Sequence, residues 1–244
     1  MPAYQPPIVS FAVNGPGIAQ GNPSYLDLDF TASSFPLAYP LGWHDAWCAD
    51  NDKSIFFSTY HDAAVYSSYE YNILFANSDF ATLGKASAAL LPGVSVPFDS
   101  THPSQPYLEN LDIVNWLLNN IQTSSTVYND TINSVNYSNI PYYTVTGISG
   151  FFTYGDVQES IYQLLGDGWV TNSFLGITNQ TRVTTLVNGA VLHDGYVPDV
   201  GEKIAVLLDV KSDLGNLRQP LLVQTEAAKL GDYVWEDSNA NGIQ

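Results

Sequence analysis

The chain contains a single cysteine, Cys48, in a setting that could support chemistry. It lies in residues 42–50 (GWHDAWCAD), among two tryptophans, a histidine and two aspartates. A lone cysteine cannot form an internal disulfide, but its thiolate is a good nucleophile and a good leaving group. Free cysteines are also among the most often buried residues, so a plain core role is the alternative.

Other reactive residue types have less specific patterns. Histidine precedes aspartate at His44, His61 and His193, but none of these pairs has the spacing of a zinc signature. A serine hydrolase would need a Gly-x-Ser-x-Gly turn, and the chain has none. The residues therefore favour neither a zinc site nor a hydrolase triad.

A stronger metal pattern lies near the C-terminal end. Asp237, Asn239 and Asn241 alternate and are followed by Gly242. Ca²⁺ prefers carboxylate and carbonyl oxygens at alternating loop positions, with a glycine at the turn. The loop lacks a downstream acidic ligand, so weak calcium binding or a solvated turn are both open. No other cofactor is expected.

Charge narrows the classes of partner. Asp and Glu number 24 against 7 Lys and Arg, for a net charge of −17. Such a chain repels phosphate backbones and anionic membranes, which argues against a nucleic-acid partner.

No segment approaches the roughly 18 apolar residues of a membrane span, and the N-terminus lacks a signal peptide. The Ser-, Thr-, Asn- and Tyr-rich composition is typical of extracellular domains, so we expect a cell-surface protein whose signal and anchor lie outside this chain.

The elements that must position Cys48 are predicted from periodicity. Strands are expected where apolar runs or period-two alternation occur, at residues 8–13, 25–30, 42–57, 203–210 and 220–227. Two short helices are expected at residues 110–120 and 155–166, each with a capping residue and one apolar face. Residues 123–143 are polar and predicted to be an exposed insertion. This order predicts an α+β fold with a mainly antiparallel, β-sandwich-like sheet.

The last 16 residues differ in character from the rest. Residues 230–235 (LGDYVW) and the loop of Asp237, Asn239 and Asn241 resemble the start of the B-type repeats of Sdr-like bacterial surface proteins. The resemblance implies a domain at residues 1–228 and, at residues 229–244, a linker and the truncated start of a repeat. It also implies a stalk of such domains downstream in the full-length protein.

Two short motifs resemble the thioester domains of Gram-positive adhesins. That family has Tyr, Phe or Leu directly before a cysteine, and here Trp47 takes that place before Cys48. The family also has an apolar-Gln-x-x-apolar-apolar motif at a helix start, and residues 157–162 (VQESIY) fit it around Gln158. The resemblance implies an internal thioester between Cys48 and Gln158, which are 110 residues apart.

The resemblance implies a covalent adhesive head. An amine on a protein or other surface ligand would attack the thioester and form an amide. Such an anchor works once, so the domain is not expected to be an enzyme. Aromatic residues near the motifs would shield the bond from water, namely Trp43, Trp47, Phe152, Tyr154 and Tyr162. His44, oriented by Asp45 or Asp50, is the candidate for proton transfer, because histidine titrates near neutrality.

Two other functions stay open at this point. The domain could be a non-covalent adhesin or carbohydrate-binding ectodomain that uses exposed Tyr and Trp. It could also be a structural subunit of a surface layer or fibre. In both cases Cys48 would be merely buried.

Overall fold

The computed structural model describes residues 6–14, 24–55, 60–86, 89–132, 134–169, 178–211 and 218–226. It confirms the predicted α+β class with mainly antiparallel strands. The strands are β1 (Ile8–Asn14), β2 (Leu26–Ser33), β3 (Gly42–Cys48), β4 (Tyr60–Ser67), β5 (Ile121–Ile132), β6 (Val135–Val145), β7 (Ile148–Phe152), β8 (Lys203–Val210) and β9 (Leu221–Glu226). The α-helices are α1 (Tyr71–Ala76), α2 (Leu111–Asn120), α3 (Tyr154–Leu164) and α4 (Gln180–Ala190), with 3₁₀ turns at Ser78–Phe80, Leu108–Asn110 and Val191–His193.

Six strands close into an antiparallel barrel in the order β1-β2-β3-β9-β8-β4. The period-two pattern of β2 gives the barrel an apolar interior, because Leu26, Leu28 and Phe30 all point into one apolar cluster. Each of these three side chains is at most 1% exposed. Cys48, the last residue of β3, belongs to the same cluster and so faces the barrel interior.

Most described residues of the predicted exposed insertion at residues 123–143 are indeed exposed or half-buried, and only Tyr128, Ile140 and Tyr143 are buried. The strand pairing of this segment was not predicted. These residues form most of the hairpin β5–β6, which pairs from Ile121↔Val145 to Ile132↔Val135 and extends to β7 as a three-stranded sheet. Thr, Val and Tyr favour strands, and the Ser and Asn between them hid that preference. The sheet and helices α2–α4 surround a second apolar cluster outside the barrel.

Helix α3 occupies the centre of this second layer, and all 11 of its residues are buried. A helix buried on every side is normally apolar all round. α3 instead carries Asp156, Gln158, Glu159, Ser160 and Gln163 among its buried residues. Buried polar groups need hydrogen-bond partners, so these residues must be matched by specific contacts.

The predicted helix boundaries agree with α2 and α3 to within two residues, but α4 was not predicted. Its sequence, QTRVTTLVNGA, is rich in Thr and Val, which have low helix propensity. Tertiary contact compensates, because α4 packs against α3 and β7. Gly189 is required there, since a Cβ at this position would come within 2.4 Å of the Ile148 side chain.

Among the described residues, no helix is long and apolar enough to cross a membrane. The predicted boundary after residue 228 and the calcium loop of Asp237, Asn239 and Asn241 lie outside the described residues.

Candidate functional site

The structure brings Cys48 and Gln158 together. The backbone N–H of Cys48 donates to Gln158 Oε1 at 2.8 Å, and Gln158 Nε2 donates to the Cys48 carbonyl at 2.8 Å. The Gln158 side chain is fully buried and Cys48 is 2% exposed. A carboxamide and a thiol thus share a site closed to solvent, with the amide clamped to both backbone groups of the cysteine.

The start of strand β2 at Leu26 explains why a side chain, and not a neighbouring strand, bonds to the backbone of Cys48. β2 pairs with β3 only as far as Leu26↔Ala46, so Cys48 has no backbone partner on that side. On its other side β9 pairs Cys48 with Leu221, while the next residue, Ala49, donates to the Pro220 carbonyl at 3.0 Å. In an antiparallel ladder this alternation turns the polar groups of Cys48 away from β9. The Gln158 carboxamide therefore continues the ladder beyond the start of β2.

The first turn of α3 fixes the position of Gln158. Thr153 and Asp156 form a capping box, in which each side chain accepts from the other residue's backbone N–H, at 2.8 and 3.1 Å. Arg182 of α4 adds a two-point contact to the buried Asp156 carboxylate, at 2.5 and 3.2 Å. Asp156 also accepts from the Asn179 N–H at 2.9 Å, which ties the starts of α3 and α4 together.

The other end of α3 fixes the segment that follows Cys48. Gly166 has φ +84°, and the Asp167 N–H reaches back to the Tyr162 carbonyl at 2.9 Å, which is a Schellman motif. A Cβ on Gly166 would also lie 2.3 Å from the Tyr107 ring. The Asp167 carboxylate then accepts from the Asn51 N–H at 2.9 Å. Gln158 and the segment after Cys48 are therefore anchored through the same helix.

Tyr162, one turn after Gln158 on α3, lies beside the thiol. Its hydroxyl is within hydrogen-bonding reach of the Cys48 sulfur. Gln219 donates from Nε2 to the Tyr162 oxygen at 3.2 Å and to the Asp50 carbonyl at 2.8 Å. The phenol oxygen therefore lies between the Gln219 amide and the sulfur.

Burial dominates the electrostatics of the thiol. It raises the pKa of Cys48 well above its usual range, the Tyr162 hydrogen bond lowers it in part, and the charge of Asp50 raises it further. Burial also raises the pKa of Tyr162 and of Tyr25, whose phenol lies near the same sulfur. Burial disfavours the charged forms of these three groups, so the Cys48 thiol and the two phenols are neutral at physiological pH.

The five aromatic residues predicted as a shield occupy different surroundings. Trp47 is 3% exposed and lies in the outer cluster, with its ring 6.4 Å from that of Tyr143. Phe152 and Tyr154 are buried in the same cluster, and Tyr154 donates to Asp130 at 3.1 Å. Trp43 is 46% exposed. Of the five, only Tyr162 shares the buried cluster of Cys48.

The predicted proton carrier His44 is not brought to Cys48. Its Nε2 is 2.8 Å from the Pro40 carbonyl, and its ring stacks 4.2 Å from Phe30. Four residues of extended strand place it about 13 Å along β3 from the cysteine. Asp45 points to the opposite face of the strand from His44, and partial burial raises its pKa, a shift opposed mainly by a hydrogen bond from Ser24. The expected role came from sequence proximity, which an extended strand does not preserve in space.

Sequence reasoning missed two neighbours of the thiol, Tyr25 and Gln219. Neither lies in a motif, and each reaches the site only through barrel closure. It also missed a surface group in which ligand atoms of Asp99, His102 and Glu109 lie within 4.8 Å of one another. The Asp99 carboxylate is already engaged by Thr101 and His102, so this loop satisfies its own polar groups.

Comparisons with known proteins add no family to this geometry. No family model, no curated protein and no solved structure matches the chain. The site must therefore be interpreted from its own residues and contacts.

Proposed function

We propose that this domain forms an internal thioester between Cys48 and Gln158 and uses it to attach covalently to an amine on a partner at the cell surface. One observation carries the proposal: the buried Gln158 carboxamide is hydrogen-bonded at 2.8 Å to both backbone groups of the only cysteine. Thioester formation joins Cys48 Sγ to Gln158 Cδ and breaks the Cδ–Nε2 bond, and the departing NH2 group takes up the thiol proton and leaves as ammonia.

The Cys48 N–H supports the chemistry of acyl transfer. It donates to Gln158 Oε1, the oxygen that gains negative charge when a nucleophile adds to Cδ. A fixed donor aimed at a developing oxyanion in a water-free site lowers the barrier to acyl transfer. The same bond polarises the thioester carbonyl once it has formed.

Burial of the site also favours the acylated form. A thiolate is strongly disfavoured at Cys48, whereas a thioester is neutral and has no charge to desolvate. The exclusion of water slows hydrolysis of the bond. Slow hydrolysis is what a single-use anchor needs while it waits for an amine.

Intact mass of the native protein tests the proposal. We expect the wild type to weigh one ammonia less than its sequence, and methylamine to add to Gln158 and free the Cys48 thiol. Cys48→Ala and Gln158→Glu should both restore the full sequence mass, whereas Gln163→Glu should keep the ammonia loss. A wild type of full mass with an alkylatable Cys48 under native conditions contradicts the proposal.

One observation favours a non-covalent adhesin as the second candidate. Large apolar side chains are exposed around the β2–β3 connection, with Phe35 51%, Leu37 92%, Leu41 60% and Trp43 46% exposed. Aromatic side chains on a surface suit contacts with proteins or sugars. In that case binding would survive Cys48→Ala unchanged and would fall on Trp43→Ala.

A further inference from the structure

We infer that Tyr162 is the catalytic acid–base of the thioester, donating a proton to the Cys48 sulfur when an amine displaces it. The inference rests on the proposed Cys48–Gln158 bond and reassigns the proton-transfer role from His44. It follows from the placement of one hydroxyl beside the leaving atom.

The leaving group creates the need for an acid. When an amine nitrogen bonds to Gln158 Cδ, the Cδ–Sγ bond breaks and its electron pair goes to sulfur. A free thiolate would then sit in a site that is 2% exposed and strongly disfavours that charge. Proton delivery during bond cleavage avoids the buried anion, which is the general role of an acid in such a step.

Tyr162 is the hydroxyl positioned for this transfer. Tyr162 and Cys48 lie in the same buried cluster, with the hydroxyl within reach of the sulfur, and the phenol oxygen accepts from Gln219 Nε2 at 3.2 Å. Gln219 is fixed in turn by the Asp50 carbonyl at 2.8 Å, and it stabilises charge that develops on the phenol oxygen. Burial keeps Tyr162 in its protonated form, so the acid is present across the physiological range.

The protons balance in both directions. On opening, the Tyr162 proton goes to sulfur, and the excess proton of the attacking amine returns to the tyrosine oxygen, so Tyr162 is unchanged at the end. On closure, the hydroxyl accepts the thiol proton and passes its own to the departing nitrogen, which leaves as ammonia. No oxidant or other co-reactant is required.

The competing candidate is His44, and the structure disfavours it. His44 bonds the Pro40 carbonyl and stacks on Phe30 at the other end of β3. Its distance along the strand, about 13 Å, excludes direct transfer to Cys48. His44→Gln should therefore leave the opening rate unchanged.

The test is the rate at which methylamine opens the thioester, followed by intact mass and by release of the Cys48 thiol. Tyr162→Phe keeps the ring and removes only the hydroxyl, and we expect opening to slow by about 100-fold, the scale of one general acid. Tyr154→Phe is the matched control, because Tyr154 is also a buried residue of α3 and its hydroxyl bonds to Asp130. It should open at the wild-type rate.

A second variant separates proton transfer from packing and serves if Tyr162→Phe does not fold. Gln219→Met removes the donor to the phenol oxygen, and we expect about a 10-fold slowing that disappears in the Tyr162→Phe background, because the two groups act as a unit. Opening of Tyr162→Phe or of Gln219→Met at the wild-type rate overturns the inference and leaves the thioester standing. A wild type of full sequence mass overturns the proposed function itself, so the two failures are distinguishable.

Discussion

Two glutamines on helix α3 dock in nearly the same way in two regions of the molecule. Gln158 Oε1 accepts the Cys48 N–H at 2.8 Å at the barrel rim, and Gln163 Oε1 accepts the Leu91 N–H at 2.8 Å in the outer cluster. Both side chains are fully buried. A buried glutamine that bonds a backbone N–H is therefore not by itself a reactive group.

The surroundings of the two amides differ in chemistry. Gln158 Nε2 donates to the backbone of a residue that carries a thiol, and the Tyr162 hydroxyl lies beside that thiol. Gln163 Nε2 donates to the Glu159 carboxylate at 3.1 Å. Reactivity is therefore expected where a nucleophile and a proton donor meet the amide. Gln163 is an internal reference for the purely structural role.

The largest expected effect comes from replacing each glutamine by leucine. Both variants leave a buried N–H unpaired, at about 1–3 kcal/mol each in the free energy of unfolding. Gln158→Leu also loses a cross-link that closes a loop of more than 100 residues, which adds about 4–5 kcal/mol by analogy with a disulfide. Denaturant unfolding with intact mass measures both.

Cys48→Ala tests the contribution of the cross-link to stability without leaving a buried backbone N–H unpaired. It removes the cross-link but leaves the Gln158 amide bonded to the backbone of residue 48, so most of the loss should be the cross-link. Equal stability losses in Gln158→Leu and Gln163→Leu, with the same mass behaviour, would make the two glutamines equivalent and end the argument for a special role of Gln158.

Replacing Arg182 should have an intermediate effect on the free energy of unfolding and on the rate of thioester closure. Arg182→Met leaves the buried Asp156 carboxylate without its cation and should cost about 2–3 kcal/mol. The first turn of α3 would loosen, so closure at Gln158 should slow while the Gln163 contact at the far end persists. Arg182→Lys keeps the positive charge without the two-point geometry, so its free energy of unfolding should lie between those of the wild type and Arg182→Met. Unchanged stability and closure in Arg182→Met would show that the capping box alone positions Gln158.

The smallest effect is a pH dependence that appears only when the thioester is absent. In Gln158→Leu the Cys48 thiol is free, and burial raises its pKa above the unfolded value of about 8.5. Above that pH the unfolded state loses the proton first, so the free energy of unfolding should fall by up to about 1.4 kcal/mol per pH unit. The comparison is with Gln158→Leu/Cys48→Ala between pH 8 and 9.5, by denaturant unfolding. Parallel curves for the two would mean that Cys48 is not a buried free thiol in that background.

Much of the fold follows from local pattern. The alternation of residues 25–30 specifies β2, and Thr153 and Asp156 specify the start of α3 because a capping box is a contact between residues three apart. Gly166 specifies its end for the same local reason. The strands within residues 123–143 were not predicted, because Ser and Asn interrupt the strand-favouring residues and the cross-strand pairing of β5 and β6 decides their conformation. Helix α4 was not predicted, because its helix propensity is low and packing against α3 and β7 stabilises it.

The amino-acid sequence alone shows one thiol and a net charge of −17, and its pattern predicts that Gln158 lies in the first turn of a capped helix. The surroundings of the thiol follow from the tertiary structure. Barrel closure brings Tyr25 near Cys48 and Gln219 to Tyr162, and the start of β2 at Leu26 leaves the ladder position that the Gln158 amide fills. These contacts join residues far apart in the chain, so they depend on strand order and register, which local patterns do not encode. His44 shows the converse, since an extended strand separates near neighbours while a closed barrel and a buried helix bring distant residues together.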